Sequence, residues 1–120
     1  MQRKILAAAS MFVVLMSSPV NADVYCGGDA PPVKVLTYGD GRVLILTGWR
    51  GDFFQVCNLN ESWKGVQPTT CFAWMSKLAS AINANKRIGI WYGGLEGSGA
   101  CKTLPTYGAA PAPVYIDLAS

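Results

Sequence analysis

The chain has 120 residues, ten of them basic, seven acidic and none histidine. Without histidine, Ser–His and Cys–His nucleophile pairs and histidine-ligated metals are excluded. Only Asp23, Asp29, Asp40, Asp52, Glu61, Glu96 and Asp117 remain as carboxylates for acid–base work, and none lies in a recognisable catalytic motif.

The first element is a targeting segment. Arg3 and Lys4 precede an apolar run from Ile5 to Met16, broken by Ser17-Ser18-Pro19, and Val20-Asn21-Ala22 has the small-x-small pattern of a cleavage site. This plan predicts a signal peptide over residues 1–22, cleaved after Ala22. The run covers 12 residues, whereas a membrane-spanning helix needs about 20, so no span is expected. Removing residues 1–22 from the 120 leaves 98, with eight basic and seven acidic side chains. A nucleic-acid partner held by phosphate contacts is therefore not expected. The 98 residues predict one domain, 23–120, secreted or periplasmic.

Four cysteines lie in that domain: Cys26, Cys57, Cys71 and Cys101. A zinc site usually needs closely spaced ligand pairs, but the successive gaps are 31, 14 and 30 residues. An even count in an exported chain predicts two disulfides, with three connectivities open. Cys57–Cys71 and Cys26–Cys101 are favoured. The first joins a strand to the start of a helix across a short loop, and the second fastens the chain's lead-in to a long connection.

Asp23 to Pro32 reads as an irregular lead-in, since Gly27-Gly28 and Pro31-Pro32 rule out a helix or a central strand. Val33–Tyr38, Arg42–Thr47 and Asp52–Leu59 are rich in β-formers and predict three strands. The first turn, Gly39-Asp40-Gly41, carries a hairpin signal. Thr69 or Thr70 is the expected N-cap of a helix over Cys71–Ala84, with Trp74, Leu78 and Ile82 facing inward. Asn83 and Asn85 are suitable terminators.

Arg87–Tyr92 predicts a fourth strand, with Ile88, Ile90 and Tyr92 on one face and Trp91 on the other. Residues 93–113 form a connection longer than an ordinary unstructured loop, about 12–15 residues. Val114–Leu118 predicts the fifth strand, with Val114, Ile116 and Leu118 inward and Tyr115 and Asp117 outward. The order β-β-β-α-β-β matches the OB-fold, a five-stranded barrel whose open end the helix would plug. A flat sheet with the helix across it is the alternative.

The aromatic residues carry the positive functional signal. Trp49 sits at a turn, Trp63 in a polar loop and Trp91 on the outer side of a strand. Exposed rings beside charged groups suit sugar faces or protein partners. Trp49, Arg50, Asp52, Trp63 and Trp91 are thus the candidate ligand-binding residues, with no catalytic residue, metal or cofactor expected. Arg50-Gly51-Asp52 spells an adhesion tripeptide but also makes an ordinary turn. Asn60-Glu61-Ser62 is a glycosylation acceptor pattern relevant only in a eukaryotic secretory route.

The stretch from Cys57 through Trp63, the helix with Leu78 and Ala81, and the strand Arg87-Ile88-Gly89-Ile90 resemble the B subunits of AB5 toxins, most nearly the subtilase-cytotoxin and pertussis-like ones. The resemblance covers about a third of residues 23–120. It implies an OB-fold, a homo-oligomeric ring of five and recognition of sialylated glycans. Cys71 and the Cys101 segment stand outside the shared pattern, and no binding residue is carried over from it. The expectation is a secreted module that binds a glycan or a cell-surface receptor. The rival readings are a periplasmic inhibitor of a wall-degrading enzyme, inserting the 93–113 connection into a cleft, and a carboxylate-based hydrolase using Asp52 or Glu61.

Overall fold

The computed structural model describes residues 23–27, 31–95, 97 and 99–119; the predicted signal peptide lies outside them. Its elements are β1 (Asp23–Gly27), β2 (Lys34–Thr37), β3 (Arg42–Leu46), β4 (Phe53–Asn58), α1 (Pro68–Ala84), β5 (Arg87–Gly93) and β6 (Tyr115–Ala119). Among the described residues the fold is mainly β with one helix.

The predicted meander is present: β2, β3 and β4 form one antiparallel sheet in that order. Its first turn needs Gly41. That residue has φ of +95°, and a Cβ there would press on Asn58 and Asn60. The Asn58 side-chain oxygen accepts from the backbone N–H groups of Asn60 (2.7 Å) and Glu61 (3.2 Å), which fixes the chain as it leaves β4.

The first part of the lead-in is not irregular. Asp23–Gly27 is a strand, paired antiparallel with β5, and the second sheet runs β1-β5-β6. As an edge strand it tolerates Gly27, and the Pro31-Pro32 pair comes only after it ends. This strand also explains why the expected five-stranded barrel does not form. Both edges of β5 are taken, by β1 and β6, and neither β2 nor β4 pairs with the other sheet. The described residues therefore make two open three-stranded sheets rather than one closed ring.

The two sheets share a core. Val43, Ile45, Phe54 and Val56 from the meander meet Ile88, Ile90, Tyr92 and Ile116 from the second sheet. α1 packs against strands of both sheets through Cys71, Trp74, Leu78 and Ala81, spaced by three and four residues. Ile82 was expected inward, yet it is 37% exposed while Ala81 is fully buried. The stripe passes through 81 rather than 82, and the small side chain there lets the helix approach closely. The helix also starts earlier than expected. Gln67 is its N-cap and Pro68 opens the first turn with a preset φ, so Thr69 and Thr70 fall inside it. Asn85 ends it in the left-handed conformation, as anticipated.

Among the described side chains of β6, only Ile116 is buried in the core. Val114 lies just before the strand and Leu118 near its end, and both are exposed. Both favoured disulfides are present, Cys26–Cys101 and Cys57–Cys71.

Candidate functional site

The candidates from the first half of the chain have structural duties. Trp49 is half-buried and packs on Phe54, with ring centroids 5.4 Å apart. The Arg50 Nε donates to the Leu104 carbonyl at 2.6 Å, so the guanidinium ties the turn to the long connection. Asp52 is exposed, and its carboxylate accepts from the Phe53 backbone N–H at 2.8 Å. Gly51 between them has φ of +81°. The tripeptide is thus a turn that leads into β4. Trp63 pairs with Val66 across a tight turn, and the Lys64 ammonium lies 4.9 Å from its ring centre. That ammonium donates to the carbonyls of Gly108 and Ala110. These four residues do not come together as one site with Trp91, which stands on the other sheet.

Trp91 is the candidate that the fold builds around. It occupies the middle of β5, on the face opposite the buried Ile88, Ile90 and Tyr92. In register on either side are Tyr25 of β1 and Tyr115 of β6. Trp91 stacks on Tyr115 at 5.9 Å with planes 13° apart, and meets Tyr25 at 6.0 Å with planes tilted by 49°. Three aromatic residues therefore form a row across three strands. Tyr25 and Tyr115 remain 45% and 40% exposed, an unusual display for large rings on a small domain.

The next register row explains the posture of Tyr25. It consists of Gly27, Gly89 and Asp117. A Cβ on Gly89 would collide with the Tyr25 ring and hydroxyl, and one on Gly27 would come within 2.8 Å of the ring. Tyr25 thus leans across two glycines, and its hydroxyl donates to the Asp117 carboxylate at 3.0 Å. One side of the ring covers backbone while the residue stays nearly half exposed. Partial burial, and then the bond to Asp117, push the Tyr25 hydroxyl above its ordinary pKa, so at neutral pH it stays protonated and donating.

Charged groups frame the row. The Asp23 carboxylate lies beside Gly93, and strand alternation places Arg87 on the same outer face. The outer face of β1-β5-β6 therefore presents aromatic rings, two carboxylates and one guanidinium.

Sequence reasoning identified Trp91 and the outward Tyr115 and Asp117, but missed Tyr25. The signal was present in the alternation of Asp23, Tyr25 and Gly27, hidden by the glycines and prolines that follow. Elsewhere, Leu59, Pro68, Thr69 and Phe72 line a shallow apolar depression of about 430 Å³. Among the described residues no cluster of three or more metal-ligating side chains occurs, and no helix is long and apolar enough to cross a membrane. Compared with family models, characterised proteins and solved structures, the chain matches none of them, so the aromatic face is read from its own chemistry.

Proposed function

We propose that this protein is an exported binding module that recognises a glycan or a cell-surface receptor through the outer face of β1-β5-β6. The observation that carries the reading is the outward row Tyr25–Trp91–Tyr115, in which a half-buried Trp91 is flanked by two exposed tyrosines. A sheet face built only for packing would be covered, and one built only for solubility would carry polar residues there. Two disulfides suit a chain that works in an oxidising compartment. The likeness to toxin B subunits adds a homo-oligomer, five-membered by analogy. With two open sheets in place of a closed barrel, the proposal leans on the aromatic face rather than on that analogy.

The inhibitor reading draws less support, because the 93–113 connection is pinned to the body. Cys101 bonds Cys26, Tyr107 pairs with Phe54 along β4, and Lys64 holds Gly108 and Ala110. The hydrolase reading draws less support too, because the Asp52 carboxylate accepts from the Phe53 backbone N–H at the entry to β4.

The test is a glycan array and a panel of cell surfaces, probed with the oxidised chain and its Trp91→Ala variant. Retention that the variant loses, with the fold intact, supports the proposal. Retention unchanged by the substitution would place recognition elsewhere on the molecule.

A further inference from the structure

The charges around the row narrow the ligand class. We infer that this face takes the flat side of an uncharged pyranose sugar, with Tyr25 as the stacking floor and Asp117 as the acceptor for its hydroxyls, and that it rejects sialylated and uronic sugars. The inference rests on the reading that the face binds glycans.

A pyranose has an apolar face of C–H groups and a fringe of hydroxyls. The Tyr25 ring offers the matching apolar surface, with its π-face electron-rich toward C–H groups. The Asp117 carboxylate stands at the hydroxyl end of that ring, 3.0 Å from the phenol oxygen by one of its oxygens and 3.3 Å by the other. A carboxylate has about four lone-pair positions. Tyr25 occupies part of that capacity, and the rest can accept from a sugar hydroxyl seated over the ring. Such charge-assisted bonds are roughly twice as strong as neutral ones. Trp91, tilted by 49° from Tyr25, provides a side wall that fixes how the sugar lies.

Charge decides against acidic sugars. The charge bonded directly to the floor is negative: Asp117 sits at the hydroxyl end of the Tyr25 ring. A sialic or uronic carboxylate placed over Tyr25 would meet a like charge at short range, which disfavours the wrong partner strongly. This departs from the sialylated ligands implied by the toxin B-subunit resemblance.

Glycine makes the floor separable from the rest. Gly89→Ala places a Cβ where the Tyr25 ring and hydroxyl now lie; the flexible side chain can swing away while the strands stay paired. The experiment uses the full chain purified oxidised after export. It is probed against glycans ending in glucose, galactose or N-acetylglucosamine, beside their sialylated and glucuronylated counterparts.

The expected result is binding of the uncharged set. Gly89→Ala should weaken it about tenfold, the scale of one lost aromatic stacking contact, with circular dichroism unchanged. Tyr25→Ala should reproduce that loss if Gly89→Ala impairs folding. Asp117→Asn should weaken the uncharged glycans and raise retention of the acidic ones. Preference for acidic glycans, or an Asp117→Asn variant with an unchanged neutral-to-acidic ratio, overturns the inference while leaving the face as a glycan site. Failure of every glycan overturns the inference along with the glycan form of the proposed function.

Discussion

The two sheets have the same number of strands and opposite surfaces. In the meander, three successive residues of β3, Val43, Leu44 and Ile45, are fully buried, and five of the six residues of β4 are buried. Both sides of those strands are covered, so no face is left for a ligand. In the second sheet β5 is covered unevenly: Ile88, Ile90 and Tyr92 point to the core, while on the outer face Gly89 is buried beneath the Tyr25 ring and Trp91 is half-buried. Strands covered on both sides hold the molecule together, and a strand covered on one side can present chemistry on the other.

Paired substitutions sharpen that contrast. Phe54→Ala in the meander should cost about 3–5 kcal/mol, the range for a buried aromatic replaced by alanine. Trp91→Ala should cost only about 1–2 kcal/mol, since the ring is half-buried and stacks at the surface, yet it should clearly weaken ligand retention. Urea denaturation followed by circular dichroism measures the first quantity and the array measures the second. Equal stability losses would break the comparison between the sheets.

The disulfides divide in the same way. Cys26–Cys101 closes a separation of 75 residues and should contribute about 4 kcal/mol by loop entropy; Cys57–Cys71 closes 14 residues and should contribute about 3 kcal/mol. Replacing Cys26 and Cys101 together by alanine should lower the urea midpoint more than replacing the other pair. Only the first replacement should also weaken ligand retention, because Cys26 lies next to Tyr25 on β1.

Smaller effects concern the two tyrosines. Tyr92 is fully buried, and among the described residues its hydroxyl has no hydrogen-bond partner. Tyr92→Phe should be neutral or raise stability by about 1 kcal/mol, because it removes an unpaired buried polar group; the thermal midpoint is the measure. Burial pushes the Tyr92 phenol well above its ordinary value, and the Tyr25 phenol is raised too. A raised pKa means stability that is present below pH 10.0 and lost as the pH climbs through the folded value. The urea midpoint should therefore fall above pH 10.0, and Tyr25→Phe should flatten part of that fall.

The local features were readable from the chain. The left-handed Gly41 turn, the Asn85 terminator and the inward set Ile88, Ile90 and Tyr92 each follow from neighbouring residues. Strand β1 was not, because the alternation of Asp23, Tyr25 and Gly27 is short and runs straight into glycines and prolines, and its pairing partner β5 lies far along the chain. Missing it had two consequences: the sheets appeared free to close into a ring, and Tyr25 went unnoticed beside Trp91. At Arg50 and Trp63 the structure adds contacts that local reasoning did not reach. Turn positions suggested exposure, but Arg50 reaches the Leu104 carbonyl and Lys64 at the ring of Trp63 holds two more. Both anchors are more than forty residues away in sequence, beyond what turn propensity can report.

The bridge between Cys26 and Cys101 sets an order of events in maturation. Cys26 is the buried residue of β1, and its sulfur fastens the segment that carries the Tyr25 ring. While the thiols remain reduced, that edge segment is held only by non-covalent contacts: its pairing with β5, the Tyr25–Asp117 bond and the Tyr25–Trp91 contact. Oxidation adds a covalent tie from this edge to the far connection, so the outer face gains its full rigidity only after that bond has formed.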